Sequence, residues 1–198
     1  MPSERRAMRS RLFGLAADQA GYFGAAQAKE LGYSYQAQAH HVGAGNWIRV
    51  DRGLFRLADW VAGEHDDLAR WTLWSGGRGV VSYVTALAVH EIGEFESGRV
   101  HLTVPPGFTK RAAAVMLHQG ALPRHDLAAG RGFTVTTPLR SIIDIASADP
   151  DPDQLSRLIA EAVGRGMLTV RMLRSRAEEV DVHAALYIER ALPAATAR

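Results

Sequence analysis

Between residues 21 and 57 the chain sets a short Ala-rich helix, a Gly-bearing turn, a second helix and an Arg-studded hairpin end to end with almost no filler. Few folds accept that order. Ala25 to Leu31 reads as the first helix, with Gly24 as a cap that has no side chain to offer. Gly32 and Tyr33 make the tight turn, because glycine takes a positive φ at no steric cost. Ser34 caps the next helix by offering its hydroxyl to free backbone N–H groups, and Gly43 or Gly45 ends it. After Trp47 the period falls to two: Ile48 and Val50 alternate with Arg49 and Asp51, Asp51-Arg52-Gly53 turns the chain, and Phe55 and Leu57 alternate with Arg56. Ahead of this stretch, Met8, Leu12, Leu15 and Ala16 recur at helical spacing from about Glu4 to Asp18, and Gly21 ends that helix. Three helices followed by a hairpin predict a winged helix-turn-helix over residues 1–60, which reads double-stranded DNA.

The contacts follow from that fold. The N-terminal end of a recognition helix reaches base edges, so Ser34, Tyr35, Gln36 and either Gln38 or Ala39 are the expected readers, followed by His40 and His41, with Gln suited to adenine N6 and N7. In the hairpin the apolar set is expected to cover the helices, leaving Arg49, Arg52 and Arg56 outward on the wing; Arg5, Arg6 and Arg9 would anchor phosphates from the N-terminal helix. Charge is distributed in the same sense. Up to Leu57 there are eight cations (Arg5, Arg6, Arg9, Arg11, Lys29, Arg49, Arg52, Arg56) and four anions (Glu4, Asp18, Glu30, Asp51). Out of 23 cations and 21 anions in all, that leaves 15 and 17 for the remainder, so a basic head sits on a mildly acidic body.

Residues 64–198 read as an α+β domain after a polar joint at Asp59 to Gly63. Asp66 to Trp74 predicts a helix, Val80 to Tyr83 a strand leading into a helix from Thr85 to His90, and Val100, Leu102 and Val104 a half-buried strand stopped by Pro105-Pro106-Gly107. Val115 to His118 and Phe133 to Thr136 complete a small sheet. Thr137-Pro138 and Asp151-Pro152 each pair an N-cap with proline at the first helical position, Thr169 opens another helix, and Val182 to Leu192 forms the last, with fraying expected from Pro193.

No catalytic site emerges. His90-Glu91 lacks the second histidine of a zinc-protease helix, His101, His118 and His125 have no ligand spacing, and Asp144 lies four residues after Arg140, as an ion pair would. A nuclease strand needs an acid two positions before a lysine, yet Gln27 precedes Lys29 and Phe108 precedes Lys110. Neither metal nor cofactor is expected. With 47% apolar residues, no run near the roughly 18 that span a bilayer and no cysteine, the chain is in keeping with a cytoplasmic protein that makes no membrane contact.

The string Gly21-Tyr-Phe-x-Ala-Ala-Gln-Ala28, the Trp47 to Arg56 segment, Val100-His-Leu-Thr-Val-Pro-Pro106 and Val135-Thr-Thr-Pro-Leu-Arg-Ser-Ile-Ile-Asp-Ile-Ala146, in that order and spacing, resemble the AbiEi antitoxin family of bacterial toxin-antitoxin loci. The resemblance implies a winged helix-turn-helix that represses its own operon by binding its promoter. A mixed α+β antitoxin domain would follow and counter a nucleotidyltransferase-like toxin encoded alongside. The chain departs from that pattern at Gly24, where a Thr or Ser commonly caps the helix, and at Gln38 and His41, where apolar side chains are usual. The alternative is a stand-alone winged-helix regulator whose C-terminal domain binds a ligand or another protein.

Overall fold

The structure is a computed structural model that describes residues 2–95 and 98–196. It is α+β, and the chain forms two compact units: one ends at Gly79 and takes in Ala129–Thr134, the other holds Val80–Ala128 and the residues from Val135 onward.

The first unit runs α1 (Pro2–Asp18), β1 (Tyr22–Gly24), α2 (Ala25–Glu30), α3 (Tyr35–Gly43), β2 (Trp47–Asp51), β3 (Leu54–Leu57) and α4 (Asp66–Trp74). The strands form an antiparallel sheet in the order β1-β3-β2. One sheet face packs on α1 to α3 through Leu12, Ala16, Phe23, Ala28, Tyr33, Trp47 and Phe55. Phe23 meets Trp47 edge to face at 4.8 Å, an arrangement the ring quadrupoles favour. β1 has no local sequence signal of its own; its three residues become a strand by pairing Tyr22, Phe23 and Gly24 with Arg56, Phe55 and Leu54.

The opposite face is covered too. Tyr22 from β1, Val50 from β2 and Ala69 and Leu73 from α4 share a second cluster with Ala20. The expected joint at Asp59 to Gly63 therefore lies inside the unit, where Asp66 Oδ2 accepts from the Trp60 indole N–H at 2.7 Å and from the Gly63 N–H at 2.8 Å. The hairpin also departs from strict alternation. Arg49 faces Phe55 and Asp51 faces Leu54, so Val50 is an extra residue that resets the parity of β2. Before that bulge Ile48 points outward, 40% exposed, instead of covering the helices.

The second unit contains β4 (Val80–Val81), α5 (Tyr83–Val89), β5 (Val100–Val104), β6 (Val115–Gln119), a 3-10 turn (Arg124–Asp126) and all of β7 (Leu127–Ala129) and β8 (Thr134–Thr136) except Ala129 and Thr134, which fall in the first unit. Its sheet has the order β6-β5-β4-β8-β7, with β4 antiparallel to β5 and parallel to β8. Helices α6 (Pro138–Ala146), α7 (Pro152–Gly164), α8 (Val170–Val180) and α9 (Val182–Thr196) follow. Their starts are written in the sequence: Thr137, Asp151 and Thr169 accept from the backbone N–H of Arg140, Gln154 and Met172. α9 continues through Pro193, so the fraying expected there does not begin at that residue; residues 197 and 198 lie outside the described part. Ile142, Ile143, Leu155, Ile159, Leu173 and Ile188 form the core of this unit.

Its polar interior is an ion-pair chain. Arg140 holds Asp144 at 2.7 Å, the pair expected from their spacing, and also Asp126 at 2.7 Å, which Arg176 holds at 2.8 Å. The two guanidiniums hold the Asp126 carboxyl below its ordinary range against the opposing cost of burial. Asp144 has the poorer share, with Oδ2 buried and unpartnered, and burial raises its carboxyl to about 6. Across the sheet, the His118 ring stacks on Tyr83 at 3.6 Å and bonds His101 at 3.1 Å; burial and the neighbouring His101 lower His118 to about 4.

Candidate DNA-binding surface

The geometry begins at the turn into α3. Gly32 sits at φ 103°, Ser34 Oγ accepts from Ala37 N–H at 3.2 Å, and the first turn of α3 is thereby fixed with its outer N–H groups unused. At the start of α2 the missing side-chain cap is replaced from within the helix, as Gln27 Oε1 accepts from the Gly24 N–H at 2.8 Å. The two helices are then tied by Gln38, whose side-chain amide donates to the Ala25 and Tyr33 carbonyls at 3.0 Å each.

That tie corrects one expected reader. Gln38 is 2% exposed and its donors are spent on backbone carbonyls, so it holds the helix-turn-helix angle and presents nothing to a groove. The inward face of α3 consists of Ala37, Gln38, His41 and Val42, with the His41 ring stacked on Trp47 at 4.8 Å. Outward stand Ser34, Tyr35, Gln36, Ala39 and His40, and Tyr35 is 63% exposed.

The wing is short. Arg52 and Gly53 form its tip; Gly53 is at φ 70°, and its carbonyl accepts from the Ala25 N–H at 2.8 Å, which ties the tip to the start of α2. Arg49 and Arg52 are exposed, Arg49 with its guanidinium over the Phe55 ring at 5.6 Å. Arg56 is the second correction. Its parity is opposite to that of Phe55, so it lies on the sheet face turned away from α3, half-buried above the Tyr22 ring at 5.9 Å with Nε enclosed.

Arg5, Arg6 and Arg9 are exposed along α1, and Arg5 and Arg9 share one groove with His40 of α3. Among the described residues Arg5, Arg6, Arg9, Arg49 and Arg52 have no carboxylate partner, so their charge is available to an external anion. Lys29 belongs with them although sequence reasoning passed over it: it is exposed on α2 with its ammonium 5.3 Å from the Tyr35 ring centroid. Its signal was position alone, on the helix that precedes α3. No group of three or more His, Cys, Asp or Glu is placed to hold a metal among the described residues, where His90 Nε2 is instead 2.8 Å from the Thr136 carbonyl. No helix among them is long and apolar enough to cross a membrane.

Helices α1 to α3 with a three-stranded antiparallel sheet ending in a basic hairpin define a winged helix, a DNA-binding class. Residues 10–58 of this chain match the family described as transcriptional regulator, AbiEi antitoxin, and the match supports a DNA-binding transcriptional regulator. No curated protein matches the chain. Among solved structures, the chain is similar to the crystal structure of the RV2827C protein from Mycobacterium tuberculosis, with 14% identity and a TM-score of 0.62 over 96% of this chain and 77% of that one. At that identity the likeness concerns the fold alone, and it extends over both units.

Proposed function

We propose that this chain is a DNA-binding autorepressor and the antitoxin of a toxin-antitoxin operon, acting in the cytoplasm without catalysis. The observation that carries the DNA reading is the outer face of α3 beside arginines that have no carboxylate partner. Residues 1–60 hold the DNA-binding elements. Tyr35, Gln36 and His40 reach base edges, Ser34 and the first turn of α3 approach a phosphate, and Arg49 and Arg52 hold the backbone at the wing. Arg5, Arg6 and Arg9 add phosphate contacts from α1. The antitoxin role of residues 64–198 and the nucleotidyltransferase-like toxin as its partner rest on the family resemblance and on the description of the family matched at residues 10–58.

The test uses full-length protein and its own promoter. Gln36→Ala should weaken promoter binding and relax sequence preference, whereas Arg52→Ala should weaken all sequences alike. Co-expression with the adjacent gene should rescue growth with wild-type chain and equally with Gln36→Ala, since toxin neutralisation would not pass through α3. Promoter binding unchanged in both variants would refute the DNA reading; a non-toxic neighbour would refute the antitoxin reading. The family match ends at residue 58, which leaves room for a second reading in which the second unit binds a different partner of a plain regulator.

A further inference from the structure

The groove that Arg5 and Arg9 share with His40 encloses about 640 Å³, inside the range of roughly 300–1,000 Å³ usual for small-molecule sites. Its floor is buried and largely aromatic: Leu12, Tyr33 and Trp47. One wall is an α1 stripe of Arg5, Arg9 and Phe13, each four residues from the next and so on one side of the helix. Phe13 is 59% exposed, a large apolar side chain left in water along the groove.

Trp60 also lines the groove, and two contacts hold its ring. Its indole N–H is held by Asp66 at 2.7 Å, and its ring lies so close to the Gly21 backbone that a Cβ there would be 2.3 Å from Cγ. Asn46 and His41 also line the groove, with Asn46 Nδ2 3.3 Å from His41 Nδ1; donation from the amide to a neutral ring would leave Nε2–H for a ligand. Burial, His40 and Arg9 all lower the His41 pKa, in keeping with that neutral state. Asp59 also lines the groove and pairs with neither arginine among the described residues.

A ring-lined cleft with two guanidiniums that lack a carboxylate partner suits a ligand that is flat and apolar at one end and anionic at the other. We propose that this groove binds a small planar aromatic carboxylate, with its ring against Phe13 and Trp60 and its carboxylate on Arg9 and Arg5. The site does not depend on the DNA reading. If Arg5, Arg9 and His40 also hold phosphates, then ligand and DNA compete, and the chain becomes a regulator whose grip on DNA loosens when the acid is present.

Calorimetry on full-length protein without DNA tests the groove in isolation, using indole-3-acetate, indole, acetate and inorganic phosphate as probes. The acid should bind at least about tenfold more tightly than either indole or acetate, the worth of one charge-assisted hydrogen-bonded contact. Arg9→Ala should remove about that factor for the acid and leave indole unchanged; Phe13→Ala should weaken both; Arg9→Lys should keep part of the gain. An acid that binds no better than its two halves, phosphate that binds as tightly as the acid, or an Arg9→Ala variant that binds the acid normally would each overturn the proposal. A failure of promoter binding would leave the calorimetric result standing.

Discussion

Replacing Gln38 separates scaffold from reader. In the fold its amide donates two hydrogen bonds of 3.0 Å to the Ala25 and Tyr33 carbonyls from a position 2% exposed. Each such bond contributes about 1 kcal/mol net, and deleting the buried side chain adds a cavity term of about 1 kcal/mol or more. Gln38→Ala should therefore cost about 2–4 kcal/mol of the first unit's stability. All four tryptophans of the chain, Trp47, Trp60, Trp71 and Trp74, precede Gly79, so tryptophan fluorescence reports the first unit alone. At about 2 kcal/mol per M of urea, the middle of the usual range, the midpoint should fall by about 1–2 M. Gln38→Leu, which keeps volume but leaves both carbonyls without this donor, should fall nearly as far. At low temperature, where the variant remains folded, promoter affinity per folded molecule and the salt slope should stay at wild-type values. An unchanged midpoint together with lost base preference would refute this assignment and return Gln38 to the groove.

Arg49→Ala and Arg52→Ala should each lower the slope of log affinity against log salt by about 0.9 at the promoter, whereas Arg56→Ala should leave it unchanged; binding titrations across salt concentrations decide. Gly21→Ala should destabilise the first unit by about 3 kcal/mol or more, since φ 84° strains any side chain and the new Cβ meets the Trp60 ring at 2.3 Å. Gly45→Ala, at φ 75° but in open space, should cost only about 1 kcal/mol, and urea midpoints compare the two. In the second unit, His118 is lowered from 6.5 to about 4 in the fold, so the unfolded chain takes up a proton between those values and stability falls as pH drops through them. Asp144, raised from 3.8 to about 6, has the opposite sign: the fold keeps a proton that the unfolded chain has lost, and stability falls as pH rises through that window. The two slopes oppose one another between pH 4 and 6. Thermal melts should show His118→Gln losing stability as pH rises across that interval and Asp144→Asn losing it as pH falls; parallel profiles in the two variants would contradict the assignments.

Much of the first unit was legible because its signals are local. Ser34, Gly32 and the change of period after Trp47 act within a few residues of where they stand, and they placed α2, α3 and the hairpin. The helix starts at Thr137, Asp151 and Thr169 were readable for the same reason. What escaped depends on distant partners. β1 exists through its pairing with β3, and the covering of the sheet's second face by α4 has no trace in either segment alone. The phase of α3 misled because two polar side chains, Gln38 and His41, occupy inward positions; only the carbonyls of α2 and the turn, and the Trp47 ring, explain why they face in. Arg56 follows the alternation correctly, opposite Phe55. The error lay in assigning that outward side to DNA rather than to the half-buried face around Tyr22.

The path of the chain between its units constrains how such a protein can be rebuilt. It leaves the first unit after Gly79, returns for Ala129–Thr134 and leaves again. That return has a packed destination, since Gly132 lies against Gln19 and Ala69 so closely that a Cβ would be 2.8 Å from the Gln19 Cα. The DNA-binding head is therefore not a detachable cassette. A cut after residue 60 strips α4 from the sheet, and a cut after residue 79 still forfeits the returning segment. Recombination that exchanged heads between such proteins at a single crossover would join a head to a strap shaped for another; on the DNA reading proposed above, new specificities would arise more readily by substitution on the outer face of α3.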